Sequence, residues 1–493
     1  MPKQATFISI AGLHLNPQAD DPLYHQLYDQ LRLAILNGRC PPGTRLPPSR
    51  QLSQELAVSR TTVTSAFDQL AAEGYLTSHV GRGTFVNHNL PDQWLPPAPP
   101  PTTILQTPPK LSQRSHHLTQ TNPPPTTAPQ PFRPGLPASD QFPFKIWGNL
   151  LAEAWSQMTP TTMAYQPPAG YQPLRQAIAH HVRLARGIHC HPDQIIITTG
   201  TQQALTLCAQ LLLDPGDYAA VENPGYPSAR VPLTTAGAHL YPLPVTPTGI
   251  DPATIPLQPP PRLIYVTPSH QYPLGHTMSL HRRFELLDWL AHHNAWLLED
   301  DYDSEFRYQG APLATLQGLD KNGRVIYIGT FSKSLYPALR LGYLILPPPL
   351  ATPFRHARAH IDRGSPWLEQ IVLAKFIDGG HFARHIRRLR PIYAARQQAL
   401  LTAAAQHLPD YINLTPTNTG LHLVAHLPPT ANDQQIATHL QQGGIIASPL
   451  ARYYLHPDDP TRQQGLVLGY GAVPQPLIPA AVRRLGQLLH QTL

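Results

Sequence analysis

Apolar side chains in the first part of the chain recur with the spacing of amphipathic helices. In residues 21–38, "DPLYHQLYDQLRLAILNG", they fall every four positions along one helical face, and Gly38 provides a stop. The members of this stripe are Leu23, Leu27, Leu31 and Ile35. The pattern therefore predicts one helix over this segment, with the apolar face turned toward a small core.

Two further short helices are predicted directly after the first. Ser49 is placed to cap a helix that runs to about Leu56, and Ser59 to cap another after the turn "AVS". The apolar side chains of the later helix that would face inward are Val63, Phe67 and Leu70. Two short helices around a tight turn form the helix-turn-helix pattern. The stretch "YLTSHVGRGTFV" then predicts two short strands around a glycine turn, which makes the module winged.

A proline-rich stretch separates this module from the rest of the chain. Between about His88 and Pro131 the periodic pattern is lost, as in "PPAPPP" and "NPPPTTAPQP". Such segments form extended, semi-rigid linkers without a core of their own. The chain is therefore divided into a helix-turn-helix domain at 21–89, a linker at 90–134 and a large domain at 135–493.

The large domain alternates short apolar runs with amphipathic helical stretches. The strand-like runs are "QIIITTG", "YAAVENP", "PRLIYVTPS", "AWLLEDDY" and "RVIYIGTFS", and the clearest helical stretches are "TQQALTLCAQLLLD" and "FELLDWLAHH". Strands that alternate with helices predict a mostly parallel sheet covered on both faces. Ligands of such sheets bind at the carboxyl ends of the strands, so the residues that follow these runs are the candidates for chemistry.

Composition narrows the class of protein only slightly. The chain has 493 residues, of which 41% are hydrophobic and 13% charged, as in an ordinary globular protein. The formal net charge of +7 is compatible with nucleic-acid binding, but residues 21–90 hold six arginines against five acidic residues. A DNA-binding function must therefore rest on motif geometry, because the charge of the presumed reader is close to balanced.

Several other classes are disfavoured. Cys40, Cys190 and Cys208 have no paired spacing, which argues against a disulfide framework or a zinc site. None of the 26 histidines pairs with carboxylates or cysteines at metal-ligand spacing, so no metal site is expected. The sequence has neither the apolar core of a signal peptide nor a stretch of membrane-spanning length. We therefore expect a cytoplasmic protein that does not bind membranes.

Residues with distinct chemistry collect after the predicted strands. Gly200 breaks a strand and Thr201 opens a helix, whose free backbone N–H groups suit a phosphate. Asp300 ends a second apolar strand, where a carboxylate needs a cationic partner. Lys333 stands in a small-residue loop after a third strand, with Arg340 seven residues later. Each feature is ordinary alone, but together they suit a phosphorylated aldehyde with a basic ring nitrogen, and pyridoxal phosphate meets each demand.

These motifs resemble a known family along nearly the whole chain. Residues 135–493 are similar to fold-type I aminotransferases through "YQPPAGYQPLRQAIA", "TTGTQQAL", "ENPGYP", "TPSHQYPLG", "EDDYDSEFRY" and "GTFSKSLYPALRLGYL". With "DPLYHQLYDQLRLAIL" and "SRTTV", the whole chain resembles the MocR/GabR-type branch of the GntR transcription regulators. The resemblance implies an α/β fold class: an N-terminal winged helix-turn-helix, a large fold-type I aminotransferase-like domain that depends on pyridoxal phosphate, and a smaller C-terminal α+β subdomain.

The resemblance also implies roles for individual residues. Lys333 would hold the cofactor as a Schiff base, Asp300 would pair with the ring nitrogen, Tyr302 would bond the ring oxygen and Tyr226 would stack on the ring. Arg452 is the candidate for an effector carboxylate, because a bidentate guanidinium suits that group. The phosphate ligands would be Gly200, Thr201, Gln202, Thr330, Ser332 and Arg340. The DNA-contacting residues would be Arg50, Ser59, Arg60, Thr61, Thr62 and His79.

One motif departs from the aminotransferase pattern. Aminotransferases place an asparagine beside the ring oxygen in an "NPTG" stretch, whereas this chain has "SHQYPLG". His270 or Gln271 must substitute for that asparagine, and Leu274 stands where the regulators often have threonine. The departure puts efficient transamination in doubt more than it does cofactor binding.

Three functions remain open from the sequence. The leading interpretation is a transcriptional regulator that senses an amine or amino acid through a Schiff base at Lys333, and that binds operator DNA with repeated half-sites as a homodimer. The alternative is an active aminotransferase with an appended DNA-binding domain. A cofactor-free DNA-binding protein is disfavoured because the whole set of lysine, aspartate and arginine is present.

Overall fold

The computed structural model describes most of the chain, and the described residues are 12–79, 81–91, 111–112, 118–119, 130–310, 313–408 and 412–492. The chain divides into two compact units, Met1–Lys110 and Leu111–Leu493, which are considered separately. Most of the predicted linker lies outside the described residues.

The small unit is a three-helix module with a two-stranded wing. Its helices are α1 (Leu23–Leu36), α2 (Ser49–Glu55) and α3 (Arg60–Ala72), and its antiparallel strands are β1 (Leu76–His79) and β2 (Gly83–Val86). The predicted stripe of α1 packs against α3, with Leu27, Leu31 and Ile35 buried and Leu23 half-buried. The apolar spacing therefore located both the helices and the face that forms the core.

The two predicted caps of the small unit have different outcomes. Ser59 caps α3 as predicted, since its Oγ accepts a hydrogen bond from the backbone N–H of Thr62 at 3.0 Å. The prediction for Ser49 is wrong, because Pro48 takes the cap position of α2 and Ser49 is the first helical residue. A proline supplies the extended backbone that an N-cap needs, so the helix can begin one residue earlier than a serine cap would imply.

The large unit is built around an eight-stranded sheet in the order β3-β10-β9-β8-β7-β4-β5-β6. Strands β4, β5, β7, β8 and β9 are parallel to one another. At the two ends of this parallel block, β6 pairs antiparallel with β5, and β10 pairs antiparallel with both β9 and β3. The strand bounds are β3 Ile195–Thr198, β4 Tyr218–Asn223, β5 His239–Thr246, β6 Gly249–Ile250, β7 Leu263–Val266, β8 Trp296–Asp301, β9 Val325–Thr330 and β10 Gly342–Ile345. The mostly parallel sheet was predicted, and the antiparallel β10 was not.

Helices cover this sheet, and apolar clusters lie on both of its faces. The helices up to the last strand of the sheet are Phe144–Ser156, Pro160–Met163, Gln172–Arg186, Thr201–Leu212, Pro227–Thr235, Leu280–His293 and Leu316–Leu319. Those that follow it are Pro348–Ile361, Trp367–Asp378 and His381–His407. Strands β3, β4, β7, β8 and β9 are buried along almost their whole length, as expected of a sheet with two covered faces.

A smaller α+β subdomain ends the chain. Its four-stranded sheet has the order β11-β12-β14-β13, with bounds β11 Asn413–Leu414, β12 His422–His426, β13 Ser448–Pro449 and β14 Gly465–Gly469. The helices Asp433–Gln442 and Ile478–Leu489 complete it. The large unit begins earlier than the predicted domain start at 135. Phe132, three residues before that start, is buried and forms an antiparallel β-bridge with Gly469. Among the described helices, none has both the length and the apolar character needed to span a bilayer.

Candidate functional site

The large unit contains a cavity of about 890 Å³ at the carboxyl ends of its parallel strands. Parallel strands end at one edge of a sheet, so the loops that follow β7, β8 and β9 meet there. Residues that lie far apart in the sequence share its wall. The predicted site residues that line it are Gly200, Thr201, Gln202, Tyr226, Asp300, Tyr302, Thr330, Ser332, Lys333, Arg340 and Arg452.

Lys333 lies in the loop after β9 with its amine in this cavity. Its Nζ donates a hydrogen bond to the carbonyl oxygen of Gly135 at 2.8 Å. A Cβ atom at position 135 would lie 2.9 Å from Nζ, so a larger residue there would displace the end of the lysine side chain. Burial lowers the pKa of Lys333, against the opposing charges of Asp303 and Asp300. A lowered pKa increases the fraction of neutral amine, which is the nucleophilic form.

Asp300 presents an unsatisfied carboxylate oxygen near the end of β8. Its Oδ2 accepts a hydrogen bond from the hydroxyl of Tyr265 at 2.8 Å, while buried Oδ1 has no partner among the described residues. Burial raises the pKa of Asp300 to about 7, with Asp301 adding to the rise and Lys333 opposing it. A buried oxygen without a donor suits a protonated ring nitrogen, which would also stabilise the ionised carboxylate.

The helix Thr201–Leu212 begins at the cavity wall with its first N–H groups uncapped. Gly200 takes the cap position at φ +109°, a conformation that favours glycine, and no side chain among the described residues caps this helix. A Cβ atom on Gly200 would lie 3.7 Å from the guanidinium of Arg340. The helix N-terminus and that guanidinium therefore face one space, which is a suitable site for a phosphate. Thr330 and Ser332 line the same cavity.

His270 lies behind the cavity wall and contacts the cavity through another residue. Its Nδ1 is 2.9 Å from the hydroxyl of Tyr302 and 3.0 Å from both carboxylate oxygens of Asp303. His270 is 1% exposed, and its Nε2 has no partner among the described residues. The contact of His270 with a ring oxygen stays a prediction, whereas its contact with Tyr302 is present in the structure.

Gln271 is the other candidate substitute for the missing asparagine, and the hydrogen bonds of its side chain are made to neighbouring protein groups. Its side-chain amide donates to Glu222 Oε2 and to the carbonyl oxygen of Pro224, and its oxygen accepts from the backbone N–H of Leu274. Neither Gln271 nor His270 is among the residues that line the cavity. Burial raises the pKa of Glu222 to about 7, and the hydrogen bond from Gln271 is one of the contacts that hold this buried acid in place.

Three tyrosines form an aromatic wall that the sequence indicated only in part. Tyr226 was predicted, and its ring meets that of Tyr272 edge-on with centroids 5.8 Å apart. The hydroxyls of Tyr272 and Tyr453 are 3.2 Å apart. Arg452 is exposed beside Tyr453 and lines the cavity as well. Tyr272 follows directly on the "SHQ" motif, which was the available signal, whereas nothing local marked Tyr265 or Gly135.

The candidate DNA-binding residues lie in the small unit, most of them around the start of α3. Arg60 and Thr61 are exposed in the first turn of that helix, and the Nε of Arg60 is 3.4 Å from Ser49 Oγ. Thr62 is half-buried, with its hydroxyl 2.8 Å from that of Ser59. Arg50 on α2 and His79 on the wing are also exposed. Exposed residues at this helix start are those that reach base edges and phosphates in helix-turn-helix proteins.

The fold also brings together three potential metal ligands that were not predicted from their spacing in the sequence. His270, Asp303 and His422 are buried, and their donor atoms lie within 4.8 Å of one another. His270 already bonds the Asp303 carboxylate through Nδ1, and Nε2 of His422 bonds the carbonyl oxygen of Pro273 at 2.9 Å. Hydrogen bonding therefore accounts for one nitrogen of each imidazole.

Both units match established family models. The model "Aminotransferase class I and II" matches residues 139–462, and "Bacterial regulatory proteins, gntR family" matches residues 23–86. The chain belongs to the aminotransferase class I and II family and carries a gntR-type DNA-binding domain. This combination defines a class of transcriptional regulators of the MocR type, as the motifs predicted.

Particular proteins share this similarity. The chain is 40% identical to the probable rhizopine catabolism regulatory protein MocR of Rhizobium meliloti, over 94% of this chain and 92% of that protein. Kynurenine aminotransferase of Pyrococcus horikoshii, solved with PMP, is 28% identical with a TM-score of 0.68, over 73% of this chain and 91% of that one. The aminotransferase LysN of Thermus thermophilus, complexed with N-(5'-phosphopyridoxyl)-L-leucine, is 28% identical with a TM-score of 0.67, over 73% and 92%.

Proposed function

We propose that this regulator senses an amine or amino acid through pyridoxal phosphate at Lys333 and transmits occupancy as a change in operator affinity. One observation carries the proposal. The Lys333 amine, the unpartnered Oδ1 of Asp300 and the Arg340 guanidinium beside Gly200 converge on one cavity. They match the aldehyde, the ring nitrogen and the phosphate of that cofactor respectively.

Each part of the cofactor has a residue suited to it. The uncapped N-terminus at Thr201 and Gln202, together with Arg340, would hold the phosphate. Asp300 would pair with the ring nitrogen, and Tyr302, oriented by His270, would bond the ring oxygen. The cofactor, when bound, supplies an aldehyde carbon at which the lysine amine and a free amine compete. Lys333 therefore acts as the residue that a sensed amine displaces.

Arg452 is the residue we propose for the effector carboxylate. It is exposed and lines the same cavity as Lys333, and Tyr453 and Ser448 line that cavity as well. A planar guanidinium binds a carboxylate through two parallel hydrogen bonds, which selects amino acids over simple amines. An effector with both an amine and a carboxylate would use Lys333's position and Arg452 together.

We further propose that the protein is a cytoplasmic homodimer that binds repeated half-sites. The large unit exposes large apolar side chains over residues 155–165, with Trp155 60% exposed, Met163 61% and Tyr165 84%. Large apolar side chains exposed at this level are typical of a surface that another protein covers. A dimer would present two gntR-type readers, and two readers need two half-sites at a fixed spacing.

The test uses purified full-length protein loaded with pyridoxal phosphate. A candidate amino acid should change the near-UV to visible absorbance of the bound cofactor, and the same concentration should change operator affinity in a binding titration. Release of keto acid over many turnovers would instead support the alternative, an active aminotransferase. An absorbance change without any effect on operator affinity would contradict the proposed sensing role.

A further inference from the structure

A second cavity of about 350 Å³ lies in the large unit, beside the first. Its wall comes from the loop after β7, from the segment that follows β8, from residues 415–419 and from β12. It shares one lining residue with the first cavity, His422. The second cavity is therefore a separate space that touches the proposed cofactor site through a single imidazole.

Arg307 gives this cavity a fixed positive charge. The residue is half-buried, its Nε is buried without an acceptor, and its guanidinium makes no hydrogen bond or ion pair with any described residue. No aspartate or glutamate lines this cavity among the described residues. A partly buried guanidinium without a counter-charge is costly unless a partner satisfies it, and an anion would satisfy both its charge and its donors.

Two imidazoles face the same space. His276 and His426 both line the cavity, and neither side chain has a hydrogen-bond partner among the described residues. Burial lowers the pKa of both, and His276 is lowered further by repulsion from His426 and His270. Both rings are therefore neutral near pH 7 and can each accept a proton when an anion arrives.

We propose that this second cavity binds a small, doubly charged tetrahedral oxyanion, such as a phosphate group, through Arg307, His276 and His426. The guanidinium supplies a planar set of donors, and each imidazolium supplies one more charge-assisted hydrogen bond. Thr415 lines the same wall and offers a hydroxyl. The chemistry of the set is that of an oxyanion site, and it does not depend on the function proposed for the first cavity.

The charges around the cavity give the direction of the pH effect. Burial lowers the pKa of His422 to about 3, so His422 stays neutral. His270 is hydrogen-bonded to Asp303, and Lys333 lines the first cavity but not the second. An anion raises the pKa of His276 and His426, so binding takes up protons. We therefore expect affinity to increase as the pH is lowered from 8 to 6.

Sulfate is the probe of choice, because it remains a dianion throughout that range and any pH effect then belongs to the protein. Calorimetric titration of the full-length protein should reveal a sulfate site, apart from any in the first cavity, that Arg307→Gln weakens roughly 10- to 100-fold, as expected for loss of charge-assisted hydrogen bonds. Arg307→Lys, which keeps the charge and loses the fork, should bind with intermediate affinity. The exposed Arg484 provides a matched control, and Arg484→Gln should bind as wild type.

Two further variants distinguish this site from an anion site in the first cavity. Arg340→Gln removes an arginine of the first cavity. If the Arg340→Gln protein no longer binds sulfate while the Arg307→Gln protein still does, the proposal is overturned. His426→Gln keeps a hydrogen-bonding side chain that cannot titrate, so it should reduce the gain in affinity between pH 8 and pH 6. An unchanged pH profile in that variant, or sulfate binding that is equal in wild type and Arg307→Gln, would equally contradict it.

Discussion

At the residue scale, the first cavity shifts an acid and a base toward their neutral forms. The pKa of Lys333 is lowered and that of Asp300 is raised to about 7, in both cases chiefly by burial. A neutral amine is the nucleophilic form of lysine, and a protonated carboxyl avoids a buried negative charge. The protein without cofactor therefore keeps Lys333 reactive, and a protonated ring nitrogen would restore the charge of Asp300.

We expect Lys333→Ala to abolish the absorbance of the lysine-linked cofactor while leaving the chain folded, because Lys333 is the amine in the cavity. Absorbance spectra and thermal melting of the loaded protein measure the two effects. Borohydride reduction followed by mass mapping should attach the cofactor to Lys333. The exposed Lys321 is a control, and Lys321→Ala should keep the wild-type spectrum. A tag on another lysine would show that the assignment is wrong.

The raised pKa of Asp300 predicts a stability difference that depends on pH. In protein without cofactor, the folded carboxyl holds its proton up to about pH 7, whereas the unfolded one loses it near its ordinary value of 3.8. Burial of the charge therefore destabilises wild type increasingly as the pH rises toward 7. Asp300→Asn has no such charge, so its stability relative to wild type should increase by about 2 kcal/mol between pH 5.5 and pH 7.

Denaturant unfolding of both proteins at several pH values tests this expectation, since groups common to both cancel in the difference. Bound cofactor should make wild type more stable than Asp300→Asn, because a ring nitrogen that pairs with the carboxylate stabilises the wild-type protein. A stability difference that stays constant with pH would mean that Asp300 does not titrate in this range.

Much of the site could be predicted at this scale, and the limits have a physical origin. Residues at the end of a strand or just after it, such as Asp300 and Lys333, were predicted because parallel strands end at one edge. Gly135 and Tyr265 were missed, since their roles depend on contacts with Lys333 and Asp300 that no local pattern encodes. His270 was found by motif, but its position behind Tyr302 follows from its bond to Asp303.

At the element scale, α3 carries the prediction for DNA binding. Arg60 is exposed in its first turn, where side chains reach base edges in helix-turn-helix proteins. A good base contact contributes about 1–3 kcal/mol, so Arg60→Ala should weaken operator binding about tenfold or more. Electrophoretic or fluorescence titration with operator DNA measures this change. The cofactor spectrum should stay as in wild type, and equal operator affinity of the two proteins would exclude the contact.

The elements themselves were predictable where the apolar period was clear. The helix Leu23–Leu36 and the buried strands β3, β4, β7, β8 and β9 follow directly from their spacing. The antiparallel β10 was not anticipated, because an apolar run such as "GYLILPP" has the same pattern in either direction. Strand direction depends on the connection, and the short path from Thr330 to Gly342 returns beside β9 instead of crossing over.

At the scale of the whole molecule, the exposed apolar side chains of residues 155–165 predict the state of assembly. Trp155 is 60% exposed on the helix Phe144–Ser156, and a charge there would have to be buried in an interface. Trp155→Glu should therefore convert the proposed dimer to monomer in sedimentation experiments. Leu257 is 59% exposed elsewhere in the large unit, so Leu257→Glu is the matched control and should remain dimeric. A dimer of undiminished stability in Trp155→Glu would place the interface elsewhere.

The proposed sensing function makes the most stringent prediction, because it couples the cavity to DNA binding. An effector that binds the DNA-bound and DNA-free forms of the protein with different affinities changes operator affinity by that same difference, typically about 1–3 kcal/mol. We therefore expect an amino-acid effector to change operator affinity roughly 5- to 150-fold in wild type. Operator titrations with and without candidate amino acids measure this ratio directly.

Two variants show whether that coupling runs through the cofactor site. Lys333→Ala should abolish the effect on operator affinity while leaving the affinity without effector close to that of wild type, since the small unit is unchanged. Arg452→Gln should require a higher concentration of amino acid for the same maximal effect, because it removes a carboxylate partner and leaves Lys333 in place. A response in Lys333→Ala as large as in wild type would mean that the effector acts elsewhere and that the lysine takes no part in sensing.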